Sequence, residues 1–247
     1  MTTLSYQLYS SRNFPPVADT LKMLADIGYT HVEGFGGLFE DVPGLRRALD
    51  DAGVTMSSCH VGVDLMIDQP EKPISICKEL GVKKMIAPFL PADRRPTDAW
   101  GWTDFGGKLA EASKPLQDAG FVVGWHNHDF EVMDVDGQRP LDLIAGASED
   151  LMLELDVAWV VRGGEDPLSW IDKYAGRITA AHAKDIAPAG HNIDEDGWAD
   201  VGHGTMDWDA ISAALKAGGC DHIVAEHDNP KDHARFARNA FATISKF

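Results

Sequence analysis

One phrase recurs along the chain and constrains it more than any single motif: an amphipathic stretch ends at or near a glycine, and a β-rich run follows. Leu24-Ala25-Asp26-Ile27-Gly28 precedes Tyr29-Thr30-His31-Val32-Glu33, and Leu49-Asp50-Asp51-Ala52-Gly53 precedes Val54-Thr55-Met56-Ser57-Ser58. The phrase returns at Gly81, Gly120, Gly176 and Gly219. Glycine just past a helix adopts the left-handed conformation at little cost, so each phrase reads as helix, C-cap, strand. The pattern predicts strands over 4–8, 29–34, 54–60, 83–88, 121–127, 151–156, 177–183 and 222–227. It predicts helices over 17–27, 43–52, 70–80, 104–118, 139–146, 167–175, 208–217 and 230–245. Strict alternation implies parallel strands joined by right-handed crossovers, and eight such units in 247 residues fit a closed (βα)8 barrel better than a doubly wound open sheet. No Ser/Gly/Pro-rich linker or low-complexity tract divides the chain, so residues 1–247 read as a single domain.

Charge and composition exclude several classes of function. Lys and Arg total 22 against 39 Asp and Glu, a net charge of −17, which argues against a nucleic-acid partner because phosphate backbones are bound through clustered cations. No apolar run approaches the ~20 residues of a membrane helix, and the first residues lack a basic segment followed by a hydrophobic one. Cys59, Cys77 and Cys220 are odd in number and far apart, which suits reduced thiols in a cytoplasm, with Cys59 read as a small buried residue. The outer ring of helices could support a homo-oligomer or a partner subunit, but no heptad pattern marks one.

In such a barrel the chemistry belongs at the C-terminal ends of the strands. Two long loops leave that face, one from Pro88 through Trp102 and one from Asp185 to Met206. Polar residues concentrate at the same ends: Glu33, His60, His126, His128, Asp156, His182, Lys184, Glu226 and Asp228. Barrel interiors are packed mainly with branched apolar side chains, so buried imidazoles and carboxylates need partners, and a divalent cation supplies one. Four successive strands, fifth to eighth, each offer a nitrogen or oxygen donor, a mixture that suits Mn2+, Co2+, Zn2+ or Fe2+ without singling one out. Glu154 shares the alternation of Asp156 and is expected one layer deeper, in a structural hydrogen-bond network. His31 and His222 begin their strands and read as structural.

The segments Trp125-His126-Asn127-His128-Asp129-Phe130-Glu131, Leu153-Glu154-Leu155-Asp156-Val157-Ala158-Trp159, Ala181-His182-Ala183-Lys184-Asp185 and Val224-Ala225-Glu226-His227-Asp228 carry a resemblance. In order and spacing they resemble the xylose-isomerase-like TIM barrel family of sugar phosphate isomerases and epimerases, which also includes endonuclease IV. The likeness is closest to the branch whose fifth strand reads His-Asn-His. It implies a metal held by a fifth-strand residue and by Asp156, His182 and Glu226. Where many relatives carry Glu on the fifth strand this chain has His126, which puts a two-carboxylate epimerase mechanism in doubt and leaves either His126 or His128 to serve as ligand or base.

The same resemblance implies an enzyme that polarises a carbonyl beside hydroxylated carbons of a small carbohydrate and removes the adjacent proton to give an enediolate. Return of the proton elsewhere gives an isomerase or epimerase; loss of a β-substituent gives a lyase or dehydratase. A sugar-binding or partner-dependent subunit without turnover of its own is a third reading. An endonuclease-IV-like activity would need further ligands and a basic face that the charge does not supply. Candidate catalytic groups are Glu226, His128 and Lys184, the last either an oxyanion donor or an ion-pair partner of Asp185. Glu33, His60, Glu131 and Trp159 are the candidates for substrate contact, with an exposed loop carboxylate the alternative for Glu131 and plain core packing for Trp159. The glycines of Asp200-Val201-Gly202-His203-Gly204-Thr205-Met206-Asp207 precede a helix and offer a weak phosphate-binding signal in an acidic neighbourhood.

Overall fold

The computed structural model describes residues 2–247. The barrel strands are β1 (Thr3–Gln7), β2 (His31–Phe35), β3 (Thr55–His60), β4 (Lys84–Ala87), β5 (Val122–His126), β6 (Met152–Asp156), β7 (Ile178–Ala183) and β10 (His222–Ala225). They pair in parallel, in sequence order, around a closed ring that β1 seals against β10, with Thr3 opposite His222 and Tyr6 opposite Ala225. Each predicted strand is present within a few residues of its expected bounds. A two-stranded antiparallel piece, β8 (Asp185–Ile186) with β9 (Trp198–Ala199), folds within the long loop after β7.

The helices are α1 (Val17–Ile27), α2 (Val42–Ala52), α3 (Val63–Asp68), α4 (Glu71–Leu80), α5 (Ala99–Asp118), α6 (Pro140–Gly146), α7 (Val157–Arg162), α8 (Pro167–Lys173), α9 (Trp208–Ala217) and α10 (His233–Ile244). Glycine closes α2 and α4 as the sequence pattern requires, with Gly53 at φ 67° and Gly81 at φ 77°. Two short helices, α3 and α7, were not anticipated, and α5 begins at Ala99 rather than at 104. The early start of α5 has a local cause: the Asp98 carboxylate accepts the Gly101 amide and caps the helix there. Trp102 thereby enters the core while Trp100 stays 76% exposed. No helix of the described residues is long and apolar enough to cross a membrane.

Two irregularities in strand pairing set up the barrel mouth. Val32 faces Met56 but Glu33 faces Ser58, which leaves Ser57 as an extra residue on β3. Leu153 faces Ile178 but Glu154 faces Ala180, which leaves Thr179 extra on β7. A bulge re-aims the side chains that follow it, and here these are His60 and His182, each three residues on. A cluster at the opposite end ties the two bulges together. The Lys84 ammonium donates to the Thr179 carbonyl at 2.5 Å and lies 3.2 Å from His222 Nδ1, while the Ser57 hydroxyl lies 3.5 Å from His222 Nε2.

Candidate metal centre and active site

The C-terminal ends of the strands surround a cleft of about 430 Å³ whose floor and walls include His60, His126, His128, Glu226 and Asp228, with Tyr9, Arg12, Phe35, Phe89 and Trp159 toward the rim. Below the cleft, His126, Asp156, His182 and Glu226 each present one donor atom, and the four atoms lie within 4.8 Å of one another. All four side chains are buried. His128 belongs to no such cluster among the described residues, so geometry selects His126 as the fifth-strand member.

Asp156 and His182 are held in place by local structure. Asp156 ends β6 and caps α7: its Oδ1 accepts the amides of Ala158 and Trp159, both at 2.9 Å. Its Oδ2 is thereby turned inward, where it accepts no hydrogen bond and lies 3.2 Å from Lys184 Nζ. Asn127 fixes the backbone of the same residue, accepting the Asp156 amide at 3.0 Å and donating to the Asp156 carbonyl at 3.2 Å. Sequence reasoning missed Asn127; its signal was the middle place in His-Asn-His, pointing away from the two imidazoles. His182 Nδ1 lies 2.8 Å from Glu226 Oε2, and its Nε2 lies 2.7 Å from Glu33 Oε1 and 3.0 Å from Glu154 Oε2.

Lys184 pairs neither with Asp185 nor with a surface acid. Its fully buried ammonium lies 2.8 Å from Glu226, 3.0 Å from Asp228 and 3.2 Å from Asp156. Burial opposes its charge, but those three carboxylates outweigh burial and raise its pKa further. Its neighbour Asp185 turns the other way, into the loop. Glu226 is likewise buried at a cost, and Lys184 and His182 hold it well below the usual carboxylate range, so it is an anion. His128 shows the opposite balance. Burial, then the nearby His126 and Lys184, push it well below the ordinary imidazole range and keep it neutral, among the rings of Phe89, Phe130 and Trp159. Its Nδ1 has no partner.

Two of the residues expected to touch substrate do not reach the cleft. Glu131 is fully buried; its oxygens accept the Trp125 indole N–H at 3.2 Å and the His128 amide at 2.8 Å, and burial pushes its pKa up to about 8. Glu33 is also fully buried beneath the floor, where Oε1 accepts the Gln7 amide at 2.7 Å. His60 and Trp159 do line the cleft. The glycines after β7 are spent within the fold: the Gly202 and Gly204 amides donate to Asp185, and a Cβ on Gly204 would lie 2.2 Å from that carboxylate. They offer nothing to a phosphate.

A family model described as xylose isomerase-like TIM barrel matches residues 21–244. A curated inosose dehydratase of Geobacillus kaustophilus (strain HTA426) is 25% identical over 191 residues, 67% of this chain but 61% of its own length, so the match leaves well over a third of that relative uncovered. A sugar phosphate isomerase/epimerase from Parabacteroides distasonis ATCC 8503 superposes with a TM-score of 0.82 at 24% identity, covering 98% of this chain and 92% of the other. The IOLI protein, solved with a bound zinc atom, superposes with a TM-score of 0.74 at 17% identity, covering 100% and 97%.

Proposed function

From the premise that the chain belongs to the xylose isomerase-like TIM barrel family, we propose that it is a divalent-metal-dependent enzyme that removes a proton from the carbon beside a carbonyl in a small sugar or keto-sugar, and returns it as an isomerase or epimerase. The observation that carries this reading is the buried quartet of His126, Asp156, His182 and Glu226 under an open cleft. The residues present fit a cation: two imidazoles and two carboxylates converge, and Asp156 Oδ2 is a buried carboxylate oxygen with no hydrogen bond of its own. A bound cation supplies Lewis-acid polarisation of the substrate's oxygens.

The chain's own groups supply the rest. Glu226, ionised and open to the cleft, accepts the carbon-bound proton; neutral His128 is the second proton carrier, so the two groups divide the roles that paired glutamates would otherwise share. Lys184, buried below the cleft between Glu226, Asp228 and Asp156, holds Glu226 in place and keeps it ionised. Phe89 and Trp159 offer flat apolar faces to a sugar ring. Similarity to an inosose dehydratase favours a second reading, in which the same proton removal is followed by loss of water.

The test is solvent exchange. Metal-loaded protein in D2O with a panel of keto-sugars is expected to exchange the hydrogen beside the carbonyl, followed by proton NMR, and Glu226→Gln is expected to slow this by about 100-fold or more. Exchange with rearranged sugar supports isomerase or epimerase action, and a conjugated enone supports the dehydratase. Absence of exchange with every keto-sugar contradicts both.

A further inference from the structure

A second quartet lies directly beneath the first. Glu154 Oε2 lies 2.7 Å from His60 Nε2, 3.0 Å from His182 Nε2 and 3.2 Å from His126 Nδ1, and these four side chains present donor atoms within 4.8 Å of one another. Three observations mark the spot as cation-seeking. Glu33 and Glu154 are both fully buried, and among the described residues neither has a lysine or arginine within salt-bridge distance. His126 Nδ1, on a side chain only 2% exposed overall, points at Glu154 yet makes no hydrogen bond, and Glu154 Oε1 and Glu33 Oε2 are likewise unpartnered. Finally, the bulges at Ser57 and Thr179 are what bring His60 and His182 inward together, to a ring separation of 5.4 Å.

We propose that this floor is a second divalent-cation position, formed by His60, His126, His182 and Glu154, which takes a nitrogen-preferring cation of the Zn2+ type. The inference rests on the same reading of the barrel as a metal enzyme. Three imidazoles and one carboxylate make a donor set richer in nitrogen than the two-and-two quartet above, and that difference sorts cations: Zn2+ gains from imidazole, whereas Mn2+ is suited by carboxylate oxygen. Tetrahedral zinc with bonds of about 2.0–2.1 Å places its donors about 3.3 Å apart, so the Glu154 oxygen withdraws from His60 by a few tenths of an ångström as the cation enters. When His182 binds through Nε2, its Nδ1–H donates to Glu226 Oε2 at 2.8 Å, the carboxylate partner that ligating histidines commonly have. His126 and His182 belong to both quartets, so the two positions compete for one cation. Zn2+ sits low and Mn2+ sits high, nearer the substrate. Entry is through the cleft, whose floor includes His60 and His126.

Metal-stripped wild type is titrated with Zn2+ and with Mn2+ in competition with a chelator, beside His60→Ala, Glu154→Gln and Asp156→Asn. The expected result is a Zn2+ affinity at least tenfold lower in His60→Ala and Glu154→Gln with Mn2+ affinity unchanged, and the reverse in Asp156→Asn. X-ray absorption of Zn2+-loaded wild type, which needs no variant to fold, is expected to show three imidazoles around zinc. Unchanged Zn2+ affinity in folded His60→Ala and Glu154→Gln, or two imidazoles around zinc, overturns the lower site. If instead Asp156→Asn keeps its Mn2+ affinity, the upper quartet fails and the lower one stands; wild type that binds neither cation overturns both.

Discussion

At the scale of single residues, the buried carboxylates of this barrel differ in what claims their oxygens. Asp156 gives one oxygen to two amides and keeps the other free; Glu131 gives both away and leaves the cleft altogether. The sequence shows that a carboxylate stands three residues past His128, but not that the indole of Trp125 reaches it first. His222, at the other end of the barrel, is a case where burial has a measurable consequence. Burial and then the ammonium of Lys84 lower its pKa to about 4, below the 6.5 of an unfolded histidine. Between those values the unfolded chain binds a proton that the folded chain refuses. Stability therefore falls as pH drops from about 6.5 toward 4, by up to about 1.4 kcal/mol per pH unit from this group. Urea unfolding measured from about pH 7 to about pH 5 is expected to show that slope reduced by His222→Gln, and an identical slope in the variant contradicts the assignment.

At the scale of elements, helix and strand order was legible because the glycine caps and the period of the apolar residues repeat locally. The long β7–α9 connection was not, because much of its order comes from one side chain at its start that gathers donors up to 23 residues further on. Asp185 is fully buried and accepts five donors: the amides of Ile186, Gly202, Gly204 and Met206 and the indole of Trp208, at 2.8–3.1 Å. A carboxylate that gathers amides from both ends of a loop acts as its pin, and it follows Lys184 directly in the chain. Asp185→Ala leaves several buried donors unpaired at about 1–3 kcal/mol each before water returns, so a net loss of about 3 kcal/mol is expected from urea unfolding. Amide exchange should rise across residues 186–206 and stay unchanged in the barrel strands. A variant as stable and as protected as wild type would show that the loop is held by something else. The bulges at Ser57 and Thr179 were equally hidden, since one inserted residue leaves no compositional trace.

At the scale of the whole molecule, closing the sheet is what turns scattered residues into a site. Asp156, His182 and Glu226 span 70 positions of sequence, yet the ring of parallel strands places their donor atoms, with that of His126, within 4.8 Å. That convergence was legible, because one polar residue at each strand end must meet its counterparts once the barrel closes. Depth was legible for Glu154, expected a layer below Asp156, but not for Glu33, which lies buried below the cleft because pairing register, rather than alternation alone, decides how far down a side chain enters. A body of net charge −17 also favours cation uptake, an attraction that salt weakens. The most direct measurement is anomalous diffraction at the manganese edge from crystals grown or soaked with Mn2+. One peak is expected, bounded by Asp156, His182, Glu226 and His126; a peak lacking these carboxylates, or none in the barrel, contradicts a cation held at this site.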